Sequence, residues 1–355
     1  GGNFVGTARG TSEFGGGIKI QRSTINAGGG KIDLNSIGGN LIEVNNIGID
    51  ISNNSLLSTT NGKITFNGTG GNVVNSTSSN NHGIQISSGS EVRSVNGDIQ
   101  LTGNSGLTTN GEINHGISVL ASGKIISTGD GNITLVGNSQ SGTNTNMGIE
   151  VNNNSQVISN KGNISFKGNS LAAGDNNYGI WIINKSTVQS TEGSISLTGI
   201  SKGTGNNNDG INIKDTSTVQ SIGAGSITLD GTSGNGIVNS TGISISNSTV
   251  RSAEGNITLT GTSKGTGDGN DGILFLNSAL GVPTTTIQAT GKGNISLQGS
   301  VNNNGIPINL TDGVIDAALG GSVTLTGDEI QLLGTQVTGK GTITLQPLTP
   351  DLGIT

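Results

Sequence analysis

A Gly-Ile pair opens a recurring unit at Gly17, Gly48, Gly83, Gly116, Gly148, Gly179, Gly210, Gly242, Gly272 and Gly305, and the spacing stays between 30 and 35 residues. Self-similarity at a steady period of this size is the signature of a solenoid, because each unit can bury its apolar face only against the next. Within the unit over 242–261 there are three short apolar runs, Ile243-x-Ile245, Val250 and Ile257-x-Leu259, each alternating with polar residues. Alternation at period two marks strands buried on one face. Three strands per unit predict an all-β parallel β-helix of about ten turns, a rod on the order of 50 Å long at about 4.8 Å per turn. The expected organisation is an irregular segment 1–16 with Phe4, Val5 and Phe14, a single repeat domain 17–346, and a tail 347–355 leading to further sequence. The chain begins with Gly1 and not Met, so a longer parent chain is expected.

Composition decides what the rod is not. Its 64 glycines against 4 prolines, with abundant Asn, Ser and Thr, would suit a disordered chain. Disordered sequence has no reason to keep Ile, Val and Leu in register, however. A net charge of −6 leaves no basic stripe for phosphates, so no nucleic-acid partner is expected. Cysteine is absent, which removes disulfides and thiolate metal sites.

The third run recurs as Ile64-Thr65-Phe66, Ile99-Gln100-Leu101, Ile133-Thr134-Leu135 and onward to Ile295-Ser296-Leu297. Its outer residues should point inward and its middle residue outward, stacking a Ser/Thr column interrupted by Gln100. The preceding pairs, such as Gly131-Asn132, Gly162-Asn163 and Gly193-Ser194, suit tight corners with glycine at positive φ. Two residues before the recurring glycine stand Asn81, Asn114, Asn146, Asn177, Asn208, Asn270 and Asn303, with Ser240 the exception. Stacked amides of this kind predict a structural hydrogen-bonded ladder. The next position varies, as His82, His115, Met147, Tyr178, Asp209, Thr241, Asp271 and Asn304, and is where specificity would be written. An extra apolar run, Leu41-Ile42-Glu43-Val44, makes one early turn less regular, and Ile306-Pro307-Ile308 puts a proline where an outward residue belongs.

The units Gly-Asn-Ile-Thr-Leu-x-Gly and Gly-Ile-x-Ile-x(3)-Ser-x-Val-x-Ser resemble those of filamentous-haemagglutinin-like proteins, especially the very large ones of cyanobacteria and related bacteria. The resemblance covers nearly the whole chain, and the segment from Ile343 to Pro350 is similar to the one C-terminal to such repeats in that group. It implies a right-handed β-helix, export by the two-partner route through an outer-membrane secretion partner, and display on the cell surface or in the extracellular matrix as an adhesin or filament. Surface glycans or matrix polysaccharide are the partners this implies, together with end-to-end self-association.

Candidate chemistry is sparse. Asn208-Asp209-Gly210-Ile211 and Asn270-Asp271-Gly272-Ile273 resemble a segment of β-helical pectin hydrolases. Glycoside hydrolysis needs carboxylates that converge, whereas these stand two repeats apart, so no enzyme is expected. Polysaccharide binding or cleavage is the alternative function, and an ice-binding Thr array a more distant one. Gly267-Asp268-Gly269-Asn270-Asp271-Gly272 is similar to one Gly-rich calcium repeat, but those sites need tandem copies. No cofactor is expected beyond a weak loop-bound calcium. His82 and His115 should stack about 5 Å apart as surface histidines, with no third metal ligand on adjoining turns. Trp181 in an outward slot and nearby Tyr178 form the expected ligand-binding pair, since exposed aromatics stack on sugar rings.

Overall fold

A computed structural model describes residues 2–11, 15–42, 45–73, 79–276 and 285–350. Phe14, Glu43 and Val44 lie outside the described residues. Strands are the only regular elements among those described, and they form three sheets of 12, 11 and 11 strands. Each turn contributes one strand to each sheet, for example Ile243–Ser246 to sheet B, Thr249–Ser252 to sheet C and Ile257–Ser263 to sheet A. Equivalent residues of successive turns pair in parallel, as in Ile243 with Ile273, Val250 with Ile287 and Ile257 with Ile295. This is the parallel β-solenoid with three strands per turn that the repeat predicts. The stacked Ile, Val, Leu and Phe side chains enclose one continuous core, and burying each large aliphatic contributes about 1.5–3 kcal/mol.

Segment 1–16 is not wholly irregular. Phe4–Arg9 forms the first strand of sheet A, paired with Ile32–Ile37. Its inward positions hold Phe4, Gly6 and Ala8, and so small a set hides the alternation. A second difference lies near the C-terminal end, where Ile308 and not Ile306 pairs with Ile273. Pro307 therefore occupies the place of the recurring glycine, its carbonyl accepting the Ile273 N–H, and the Gly305-Ile306 pair is a match of letters two residues out of register.

The corner glycines serve close approach, not positive φ. A Cβ on Gly131 would lie 2.2 Å from the Gly97 carbonyl oxygen, and one on Gly162 2.1 Å from that of Gly131. Turns stacked this tightly leave no room for a side chain. Left-handed backbone falls elsewhere, on Asn153 and Asn154 (φ 55° and 58°) between sheets B and C, and on Asn80, Asn176, Asn207 and Asn239 just before the ladder. Asparagine tolerates this region better than other residues with a Cβ, which explains part of its abundance.

Candidate functional site

The ladder is built as expected and extends further back. Asn46, missed although it stands two residues before Gly48, gives its Nδ2 to Asn81 Oδ1 at 2.8 Å. Backbone N–H groups then donate along the axis: Asn81 to Asn114 Oδ1, Asn114 to Asn146 Oδ1, Asn146 to Asn177 Oδ1 and Asn177 to Asn208 Oδ1, at 2.8–2.9 Å. Asn208 continues to Ser240 Oγ at 3.1 Å and Ser240 to Asn270 Oδ1 at 2.8 Å. Asn303 is exposed and does not join, because the register shift gives its place to Gly305. A buried serine column that the repeat pattern did not single out braces the ladder: Ser170 Oγ donates to the Asn146 carbonyl and Ser201 Oγ to that of Asn177. A serine two residues after the glycine that follows the Ile-x-Leu run is its signal.

Beside the ladder, the outer face of sheet B departs from simple alternation. Four of its outward slots hold Ser118, Glu150, Asn212 and Ser244, none more than 8% exposed, while Gln85, Trp181 and Leu274 in others are half-buried. The residue before each recurring glycine folds against them, so the position read as variable and free is buried. In four of these turns it shares a task. His115 N–H donates to His82 Nδ1 and Met147 N–H to His115 Nδ1, both at 3.1 Å, Thr241 N–H to Asp209 Oδ1 at 2.8 Å, and Ile306 N–H to Asp271 Oδ1 at 2.9 Å. Each side chain accepts a backbone N–H from a later turn, which would be costly to leave unpaired in the interior.

His82 and His115 stack with ring centroids 4.8 Å apart, at the expected spacing, but they are 4% and 2% exposed and so are not surface histidines. Since each Nδ1 accepts, the proton of each neutral ring sits on Nε2. His115 Nε2 lies 3.4 Å from Glu150 Oε2, to which Ser118 Oγ also donates at 2.5 Å. Burial holds both imidazoles down at about 3, helped in His82 by the neighbouring His115 and opposed there by Glu150. A metal on Nε2 would require the proton on Nδ1, facing an N–H, so the pair is arranged as acceptors and not as ligands. Among the described residues no group of three or more His, Cys, Asp and Glu side chains is placed to hold a metal ion.

Tyr178 and Trp181 come together, with centroids 5.6 Å apart, and Lys214 Nζ stands 5.5 Å from the Trp181 ring centroid. Tyr178 is buried and Trp181 half-buried, so the pair is packed against its neighbours and not presented as an open platform. Burial, then Asp209, push the Tyr178 hydroxyl up. Asp209 Oδ2 accepts Asn212 Nδ2 at 2.7 Å, and Asp271 Oδ2 accepts Asn309 Nδ2 at 2.8 Å. Burial raises both carboxyls, Asp209 to about 7, against the hydrogen bonds they accept. The calcium-like loop is the turn that sets up the ladder, with Asn270 Nδ2 donating to the Gly267 carbonyl at 2.6 Å. Past the aromatic pair the face opens into a cleft of about 620 Å³, lined by Tyr178, Asp209, Asn212, Lys214, Ser244 and Leu274 among others.

No protein-family model, curated protein or solved structure matches the chain.

Proposed function

We propose that the chain is a rigid structural and adhesive segment of a secreted bacterial surface or matrix protein. The observation that carries this reading is the register: three sheets keep one residue-to-residue pairing along a single axis, reinforced by the internal Asn and Ser columns. Interactions that repeat along one axis make a stiff spacer with broad faces, which is what a stalk or filament needs. The resemblance of the repeat to filamentous-haemagglutinin-like proteins supports the secreted setting. A non-catalytic role is favoured because Asp209 and Asp271 each already accept two protein N–H groups and stand two turns apart, about 10 Å along the axis.

Beads coated with the purified chain, passed under flow over bacterial exopolysaccharide films, test adhesion. Retention well above that of albumin-coated beads is expected. Equal retention would remove the adhesive part of the reading. Polysaccharide binding is the specific form of adhesion that the cleft on sheet B favours.

A further inference from the structure

The cleft on sheet B is amphipathic in a particular way. Its lining includes Leu274 and Leu276, apolar side chains in outward positions of the strand Ile273–Leu276. It also includes the hydrogen-bonding groups of Asp209, Asn212, Thr241 and Asp271, on the same turn and the two before it. Asn212 is 8% exposed, gives its Nδ2 to Asp209 and leaves Oδ1 without a partner. An unmet buried acceptor is costly, and a hydroxyl donor in the cleft would remove the cost once the Asn212 side chain, its Oδ1 closed to solvent, turns towards it. Sugars present the same division, apolar C–H faces and a rim of hydroxyls that donate and accept.

Length and charge narrow the class. The cleft crosses several turns, from Tyr178 to Asn309, so an extended chain of sugar rings along the rod axis suits it better than a compact ligand. Three carboxyl groups, on Asp209, Asp215 and Asp271, against the single Lys214 disfavour an anionic polymer. We infer that this cleft binds a neutral, hydroxyl-rich glycan along the axis, its C–H faces against Leu274 and Leu276 and its hydroxyls on Asn212, Asp209 and Asp271. This deepens the adhesive reading and rests on it.

The slot occupied by Ser244 carries Trp181 two turns earlier and Leu274 one turn later, so the fold accepts a large side chain there. Ser244→Trp therefore fills the cleft with little disturbance of the coil. Lys214→Ala removes a donor at the rim and the cation over Trp181, and serves as a second probe should the first variant misfold.

Titration calorimetry of the whole chain with cellohexaose, mannohexaose and laminarihexaose, and with an oligogalacturonate as the acidic arm, decides the matter. The expected result is saturable binding of at least one neutral hexasaccharide, weakened tenfold or more by Ser244→Trp and severalfold by Lys214→Ala, with unchanged circular dichroism and no comparable response to oligogalacturonate. Tighter binding of the acidic oligomer overturns the neutral assignment. Neutral binding that both variants leave unchanged overturns the cleft while the adhesive reading stands. No binding of any neutral oligomer overturns the inference as well, and the bead assay then decides adhesion independently.

Discussion

Acidification should destabilise the coil through His82 and His115. Burial holds each at about 3 in the folded chain against an ordinary value of 6.5, so below pH 6.5 the unfolded chain binds protons that the folded chain refuses. The stabilisation is intact above 6.5 and is lost as pH falls towards 3, at about 1.4 kcal/mol per pH unit for each ring. Between pH 6.5 and about pH 5 each histidine then costs about 2 kcal/mol and the pair about 4 kcal/mol. Asp209 works the other way, because a carboxyl raised to about 7 takes up its proton earlier in the folded chain and gains about 2 kcal/mol over the same interval. Asp50 and Asp271, also raised by burial, add to that offset.

The informative quantity is therefore a difference between proteins. In the His82→Asn/His115→Asn variant, an amide oxygen takes over the backbone N–H, as Asp209 Oδ1 does for Thr241, and the titration is gone. Urea unfolding of both proteins at the two pH values should show the wild type losing about 4 kcal/mol more than the variant. With only two histidines in the chain, NMR of the ring protons gives a direct check. Neither ring should titrate above about pH 4. A ring midpoint near 6.5 in the folded chain, or equal pH slopes for the two proteins, would refute the buried-acceptor account.

Glycine at close contacts should be irreplaceable. A Cβ on Gly103 would lie 2.1 Å from the Gly116 carbonyl oxygen, so Gly103→Ala should destabilise by about 1–3 kcal/mol, whereas Gly29→Ala, with nothing within 4 Å, should change urea midpoints little. Asn146→Ala leaves the buried Asn114 N–H without its acceptor and should cost about 1–3 kcal/mol, seen as faster amide exchange centred on that turn. Ile113 holds φ 58° where the preceding turn has Asn80 and the next Thr145, and left-handed backbone costs an ordinary L-residue about 1–2 kcal/mol. Ile113→Asn should therefore raise the melting temperature, and an unchanged or lower value would count against that strain.

The parts of the fold that depend on strict stacking were legible. Ile133-Thr134-Leu135 lies inward, outward, inward, and the asparagines before the recurring glycine form a ladder, because identical slots in successive turns have identical neighbours. Reading letters without pairing failed at Gly305, where Pro307 and Ile308 hold the register, and it lost Gly305 as the silent ladder slot along with Asn303 as a member. Strand Phe4–Arg9 was hidden because Gly6 and Ala8 fill inward places where larger residues would have shown the period. The buried face of sheet B was hidden for a different reason. Alternation says which side of a strand a residue is on, not what covers that side, so His82 and His115 read as surface residues. Their common task as acceptors appears only once the His115 N–H and the Met147 N–H are seen facing them.

The claim that the chain is a turn-by-turn stiff rod is tested most directly by stretching it from its two ends in optical tweezers. Along sheet B the turns from Ile18 to Ile308 hold 30 to 35 residues and the last, Ile308 to Ile330, holds 22, so peeling a regular turn should release about 110 Å of chain at about 3.5 Å per residue, and the last turn about 75 Å. The account predicts a series of force peaks at that spacing, as single turns leave the stack. Smooth extension without peaks, as for a compliant polymer, would contradict it.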